Sequence, residues 1–258
     1  VLTGMVNTMV NMPAVITLSF SMSLVPAVSS ALTKKDQQGL QRMISTGLKL
    51  ALMIGSAAAV GMGLLSHQIL RLLYASQPEN CLELGGQLLA IMSVGVLFLA
   101  VVQTTTGMLQ GLGKPSYPVK TLLVGIVAKT VLNYVLIGIP QINVLGAAIA
   151  TVVCYAIAAL GNVYMVLKLS KTKLKPVDAL VRPALAAGGM GAAVWGFVRL
   201  MGGRLGNTML TLGAVCLGVL VYAVLAFVLR ALSKEDLALI PGGRRVARLM
   251  DKLGGKKA

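Results

Sequence analysis

The sequence predicts an all-α integral membrane protein with seven transmembrane helices, and three observations carry that prediction. The 258 residues are 57% hydrophobic, with a mean hydropathy of +0.86. Only 12% are charged, against roughly one-quarter in a soluble globular domain. The apolar residues fall into seven continuous runs, each close to the ~20 residues a helix needs to cross a hydrocarbon core of about 30 Å. Lipid-spanning strands alternate in polarity over about ten residues, and these runs do not.

The first run, 7–28, carries Asn7, Asn11, Pro13, Ser19, Ser21, Ser23 and Pro26. Proline removes a backbone hydrogen bond and bends a helix, and the freed carbonyls are tolerated where they face protein or a watery cavity. Pro13 and Pro26 are therefore hinge candidates, and Asn11 is a candidate cavity residue. The second run, 47–65, has Lys49 near one end, where its long side chain snorkels. Between the second and third runs, Ile69, Leu70, Leu73 and Tyr74 recur at helical spacing beside Arg71, which predicts a short helix in the interface. The third run, 88–109, includes a polar stripe of Gln103, Thr104, Thr105 and Thr106, with Gln103 a second cavity candidate.

The fourth run, 119–139, holds a lysine where a lysine is expensive. Lys129 lies nine residues beyond Lys120, about 13 Å up the helix and close to mid-membrane. Insertion scales charge roughly 2.5–3.5 kcal/mol for a lysine there, so it should face a cavity or a partner. Asn133 is one turn on and Gly125 one turn back, on the same helix face. Lys129 and Asn133 are thus the leading cavity candidates. The fifth run is 144–166. The sixth, 184–200, is dense in alanine and glycine, which permits close helix approach. The seventh is 209–229.

Charge placement gives an orientation. Lys and Arg outnumber Asp and Glu by 23 to 7, for a formal charge of +16, a balance that elsewhere suggests nucleic acid. Here eighteen of the twenty-three basic residues lie after the first, third, fifth and seventh runs. By the positive-inside rule those regions are cytosolic, the chain ends inside, and its first helix enters from outside. The basic tail, 233–258, then anchors to anionic lipid, and nucleic acid is not an expected partner.

Several apparent motifs carry no chemistry. "GLGK" at 111–114 lacks the earlier glycine and the following Ser or Thr of a phosphate-binding loop, those positions being Met108 and Pro115. His67 is the one histidine, and Cys81, Cys154 and Cys216 are far apart, so no metal spacing exists. The seven acids all lie in loops or tails and cannot form a catalytic pair. No enzyme, metal or cofactor is expected. The opening "VLTGMVNTMV" has no initiator Met, no basic flank and no cleavage pattern, which predicts that the chain starts partway through a larger protein.

Three stretches carry a resemblance. "PAVITLSFSMSLVPAVSSAL" in the first run, "LQGLGKPSYPV" after the third and "LNYVLIGIPQINVLGAAIAT" across the fourth and fifth resemble the stage V sporulation protein B group. That group sits with the MurJ-like lipid II flippases and polysaccharide exporters in the MOP superfamily, which also holds the multidrug and toxic-compound extrusion (MATE) transporters. The resemblance covers nearly all of 1–169 in order and spacing, and the last two runs match in position and character.

The resemblance implies that this chain corresponds to helices 8 to 14 of a two-lobed transporter. Residues 1–169 would be part of the C-terminal lobe with five helices, 170–232 two additional helices, and 233–258 the cytosolic tail, in a bacterial cytoplasmic membrane. The implied activity is alternating-access movement of an undecaprenyl-pyrophosphate-linked peptidoglycan or polysaccharide precursor. The partners would be that anionic lipid-linked sugar, membrane lipid and an N-terminal lobe of the same protein. Lys129 would add charge to a cavity for the headgroup. The added helices would form a groove for the lipid tail, lined by small residues such as Gly188 and Gly191, and by Trp195. The rivals are a MATE-type multidrug antiporter, which would not need the last two helices, and a non-transporting envelope scaffold, which would not need the lysine.

Overall fold

The computed structural model describes residues 2–139, 143–172, 180–203 and 206–229; the basic tail at 233–258 lies outside them. The described residues form eight helices and no strand: α1 (Leu2–Thr33), α2 (Gln37–Leu64), α3 (Ser66–Leu73), α4 (Glu79–Gly111), α5 (Ser116–Ile137), α6 (Asn143–Ser170), α7 (Arg182–Met201) and α8 (Asn207–Val228). All except α3 are long and apolar enough to cross a membrane, so this is a multi-pass membrane protein, all-α with seven transmembrane helices among the described residues.

The helices outrun their apolar cores. α2 begins at Gln37, well before the run at 47–65, because the Asp36 carboxylate accepts a 2.8 Å hydrogen bond from the Gly39 backbone N–H and caps the helix. α4 begins at Glu79, where an acidic side chain in the first turn complements the positive helix end. α1 runs without interruption through both Pro13 and Pro26. Along it the hydroxyls of Thr8, Ser19 and Ser23 donate to carbonyls three or four residues back, a habit that bends helices gently.

α4 is the centre of the bundle, with α1, α2 and α6 packed around it. At one end Met5, Met9, Leu70, Leu89, Met92 and Val96 form a buried cluster; at the other, Val28, Ile44, Leu48, Met108, Leu109 and Val166 form a second. Beside the second cluster α1 and α4 approach closely enough to exclude side chains. A Cβ on Gly107 would stand 2.5 Å from the Ser21 carbonyl oxygen, and one on Gly111 would stand 2.8 Å from that of Val25. The Gly–x–x–x–Gly spacing puts both glycines on one helix face, so the two backbones meet without intervening side chains.

α5 and the α7–α8 pair are peripheral. α5 leans almost entirely on α6, with only Pro118 and Gly125 buried. A Cβ on Gly125 would lie 2.7 Å from the Cys154 carbonyl oxygen. This glycine therefore faces α6 as a contact point rather than extending a polar stripe. α7 packs on α2 and α8, and the Tyr222 hydroxyl of α8 donates a 2.8 Å hydrogen bond to the Met53 carbonyl of α2. The short helix anticipated between the second and third runs is α3; Leu70 is fully buried while Arg71 faces outward and pairs with Glu79.

Candidate functional site

Lys129 and Asn133, one turn apart on α5, line a cavity of about 380 Å³ together with Asn7 and Val6 of α1, Leu88 and Met92 of α4, and Thr151 and Tyr155 of α6. The cavity exists because four helix ends converge there while α5 stands off from α1. Its polar lining comes from one amine, two amides, one aliphatic hydroxyl and one phenol. None of its lining residues is a carboxylate, and the Arg71–Glu79 ion pair lies away from it, at the surface. The buried Asn133 Oδ1 has no hydrogen-bond donor within the described residues. Such an orphaned acceptor beside an ammonium costs about 1–3 kcal/mol unless a ligand, water or neighbour supplies a proton. The arrangement is a net-cationic, hydrogen-bonding pocket in an apolar surround, suited to an anionic or polyhydroxylated group.

The other two cavity candidates stand elsewhere. Gln103 is not part of this cavity: its Oε1 accepts from the Thr17 hydroxyl, and its backbone carbonyl accepts a 2.6 Å hydrogen bond from the Ser21 hydroxyl. Its amide serves the α1–α4 contact. Thr105 and Thr106 likewise return their hydroxyls to carbonyls of their own helix. Asn11 is exposed on α1, one turn beyond Asn7, and does not line the cavity. Of the two prolines, Pro13 borders an apolar cavity of about 430 Å³ closed by α2, α7 and α8, and Pro26 is exposed. Sequence reasoning named Asn7 only among the polar residues of the first run, not as a cavity candidate, and did not single out Thr151 or Tyr155. Asn7 has a signal, lying one turn before Asn11, but the two α6 residues enter only through the α5–α6 packing.

Gly188, Gly191 and Trp195 come together in an open groove of about 570 Å³, whose other walls are Ala59, Val60, Gly63 and Leu64 of α2 and Val94 and Leu97 of α4. Every wall residue is apolar or small. Gly188 has open space where a Cβ would be, whereas a Cβ on Gly191 would press on Val60 at 2.8 Å. Trp195 is 55% exposed, and the Arg199 guanidinium lies over its ring, 5.1 Å from the centroid.

Comparison with known proteins places this architecture. The MatE family model matches residues 3–135, just over half of the chain. The membrane protein YabM of Bacillus subtilis (strain 168) is 26% identical over 244 residues, 92% of this chain and 44% of YabM. Stage V sporulation protein B of the same organism is 25% identical over 243 residues, 93% of this chain and 45% of that protein. The chain thus spans somewhat under half the length of these relatives. Among solved structures, lipid II flippase MurJ in an inward closed conformation superposes with a TM-score of 0.62 at 18% identity, covering 86% of this chain and 46% of that one, a likeness of fold. With the family model matched from α1 into α5, over half of the chain, this protein belongs to the MatE family.

Proposed function

We propose that this chain is the C-terminal part of a flippase that moves an undecaprenyl-pyrophosphate-linked peptidoglycan or polysaccharide precursor across the bacterial cytoplasmic membrane by alternating access. The observation that carries the reading is the lysine-bearing cavity: a mid-helix ammonium, lined with amides and hydroxyls and without a carboxylate among the lining residues. A cationic drug, the cargo of a multidrug antiporter, would meet like charge there, while a pyrophosphate would meet a counter-charge and donors. Lys129 and Asn133 would contact the headgroup, with Asn7, Thr151 and Tyr155 completing the polar wall. The groove at Gly188, Gly191 and Trp195 would hold apolar tail. Pro13 and Pro26 would let α1 bend as the cavity changes its exposure. The kinship with stage V sporulation protein B and the MurJ-like fold support a lipid-linked substrate.

The test uses full-length protein in liposomes and follows loss of a labelled lipid-linked precursor from one leaflet. Wild type should transport, and a folded Lys129→Met variant should not, because the charge that offsets the pyrophosphate is gone. Equal transport by the two would make Lys129 structural. Absence of transport by wild type, with drug efflux retained, would favour the antiporter.

A further inference from the structure

An ammonium in a membrane cavity needs a partner in every state of that cavity, including the one in which nothing is bound. No residue lining the Lys129 cavity is a carboxylate, so no fixed negative charge takes the place of an anionic cargo. Three lining groups able to accept from the ammonium stand on other helices: Asn7 on α1, and Thr151 and Tyr155 on α6. The Thr151 hydroxyl already donates to the Ala147 carbonyl at 2.8 Å, which leaves its oxygen lone pairs. The distances of all three from α5 change whenever these helices move against one another. Asn133 differs. It lies on the same helix one turn beyond Lys129, with Cβ atoms about 5–6 Å apart, a spacing that no rearrangement between helices alters. Side chains lean toward the N-terminus of their helix, so Asn133 leans back over Lys129. Its Oδ1 is buried and has no donor among the described residues, so the ammonium is not on it in this arrangement, although the flexible four-carbon stem of lysine can carry it there.

We propose that Asn133 is the resting acceptor of Lys129: the ammonium turns to the pyrophosphate when cargo is present and to the Asn133 Oδ1 when the cavity is empty. This rests on the flippase reading and adds the half of the cycle which that reading leaves open, the return without cargo. A phosphate oxygen makes the stronger, charge-assisted bond, so it draws the ammonium off the amide, and the Oδ1 then accepts from the headgroup. Once cargo leaves, the cavity must close around the lysine before it reopens on the loading side. An ammonium shut into hydrocarbon without a partner is costly. An acceptor carried on its own helix removes that cost whichever way the cavity faces. Asn133 is therefore a positioning residue for Lys129, and its effect falls on the empty return.

The test compares two rates of the full-length protein in liposomes. One is net flipping of labelled lipid-linked precursor into a leaflet that lacks it; the other is exchange of labelled against unlabelled precursor present in both leaflets. Net flipping needs the empty return, and exchange does not. Asn133→Leu, similar in volume and without an acceptor, should slow net flipping about five-fold more than it slows exchange, the equivalent of roughly 1 kcal/mol for one hydrogen bond within a membrane. Asn133→Ala, smaller and also without an acceptor, should shift the ratio of the two rates in the same direction. Asn133→Gln keeps an acceptor within reach of the lysine and should bring the ratio back toward that of the wild type. Equal slowing of both rates by Asn133→Leu and Asn133→Ala overturns the proposal and leaves Asn133 a headgroup contact alone. A ratio that Asn133→Gln fails to restore overturns it as well, because the acceptor is then not what matters. Absence of both rates in the wild type is a different failure, since it overturns the flippase reading and this inference with it.

Discussion

Gly125→Ala places one methyl group at a backbone-to-backbone approach between the lysine-bearing helix and α6. The new Cβ would sit 2.7 Å from the Cys154 carbonyl oxygen and 3.0 Å from its Sγ. Ordinary contact begins at 3.4 Å, so the helices must part by about 0.7 Å at this point, and the oxygen belongs to a helix backbone that cannot rotate away. Overpacking of this kind costs about 1–3 kcal/mol. Because α5 has few contacts besides α6, little else can absorb the shift, and Lys129 one turn along moves with it. The assay is reversible unfolding of the full-length protein in mixed detergent micelles, read by circular dichroism. The expected result is destabilisation in that range, unrelieved by adding Cys154→Ala, because the clash with the carbonyl remains. A Gly125→Ala variant as stable as wild type, or one rescued by Cys154→Ala, would refute a backbone-to-backbone contact.

Thr17→Val should destabilise by about 1–3 kcal/mol in the same assay, since it leaves the Gln103 Oε1 without its donor at the α1–α4 contact; transport by the protein that remains folded should persist. Tyr222→Phe should cost about 0.6 kcal/mol, the typical worth of an interhelical hydrogen bond in a membrane, and should speed backbone amide exchange in α8, which loses its tie to Met53. Asp36→Ala should cost about 1 kcal/mol through loss of the α2 cap, with faster exchange confined to the first turn around Gly39.

How much of this was legible in the sequence depended on whether the signal was local. Seven spans followed from hydropathy, and α3 followed from the spacing of Ile69, Leu70, Leu73 and Tyr74. Helix starts did not, because α2 and α4 extend through polar residues set by a cap at Asp36 and by the turn before Glu79. The same logic divides the candidate site. Lys129 and Asn133 share a cavity because they are one turn apart on one helix, which sequence reveals. Asn7, Thr151 and Tyr155 join them from two other helices, which sequence does not. Gln103 illustrates the converse: an amide in an apolar run fits a cavity wall and an interhelical tether equally well, and only the position of Thr17 assigns it to the tether.

The break between α2 and α3 also limits how this bundle can move. Leu70 is locked beneath the bundle surface while Arg71 and Glu79 remain outside, so the end of α2 is moored at the water boundary. Sliding α2 along its axis by one turn, about 5.4 Å, would pull Arg71 away from Glu79 and into hydrocarbon, or lift a buried leucine into solvent. Rotation about the mooring incurs neither cost. The rearrangements open to α2 are therefore swings about its α3 end, with the largest excursions at its far end near Gln37, so spin labels placed along α2 should record displacements that grow steadily with distance from Leu64.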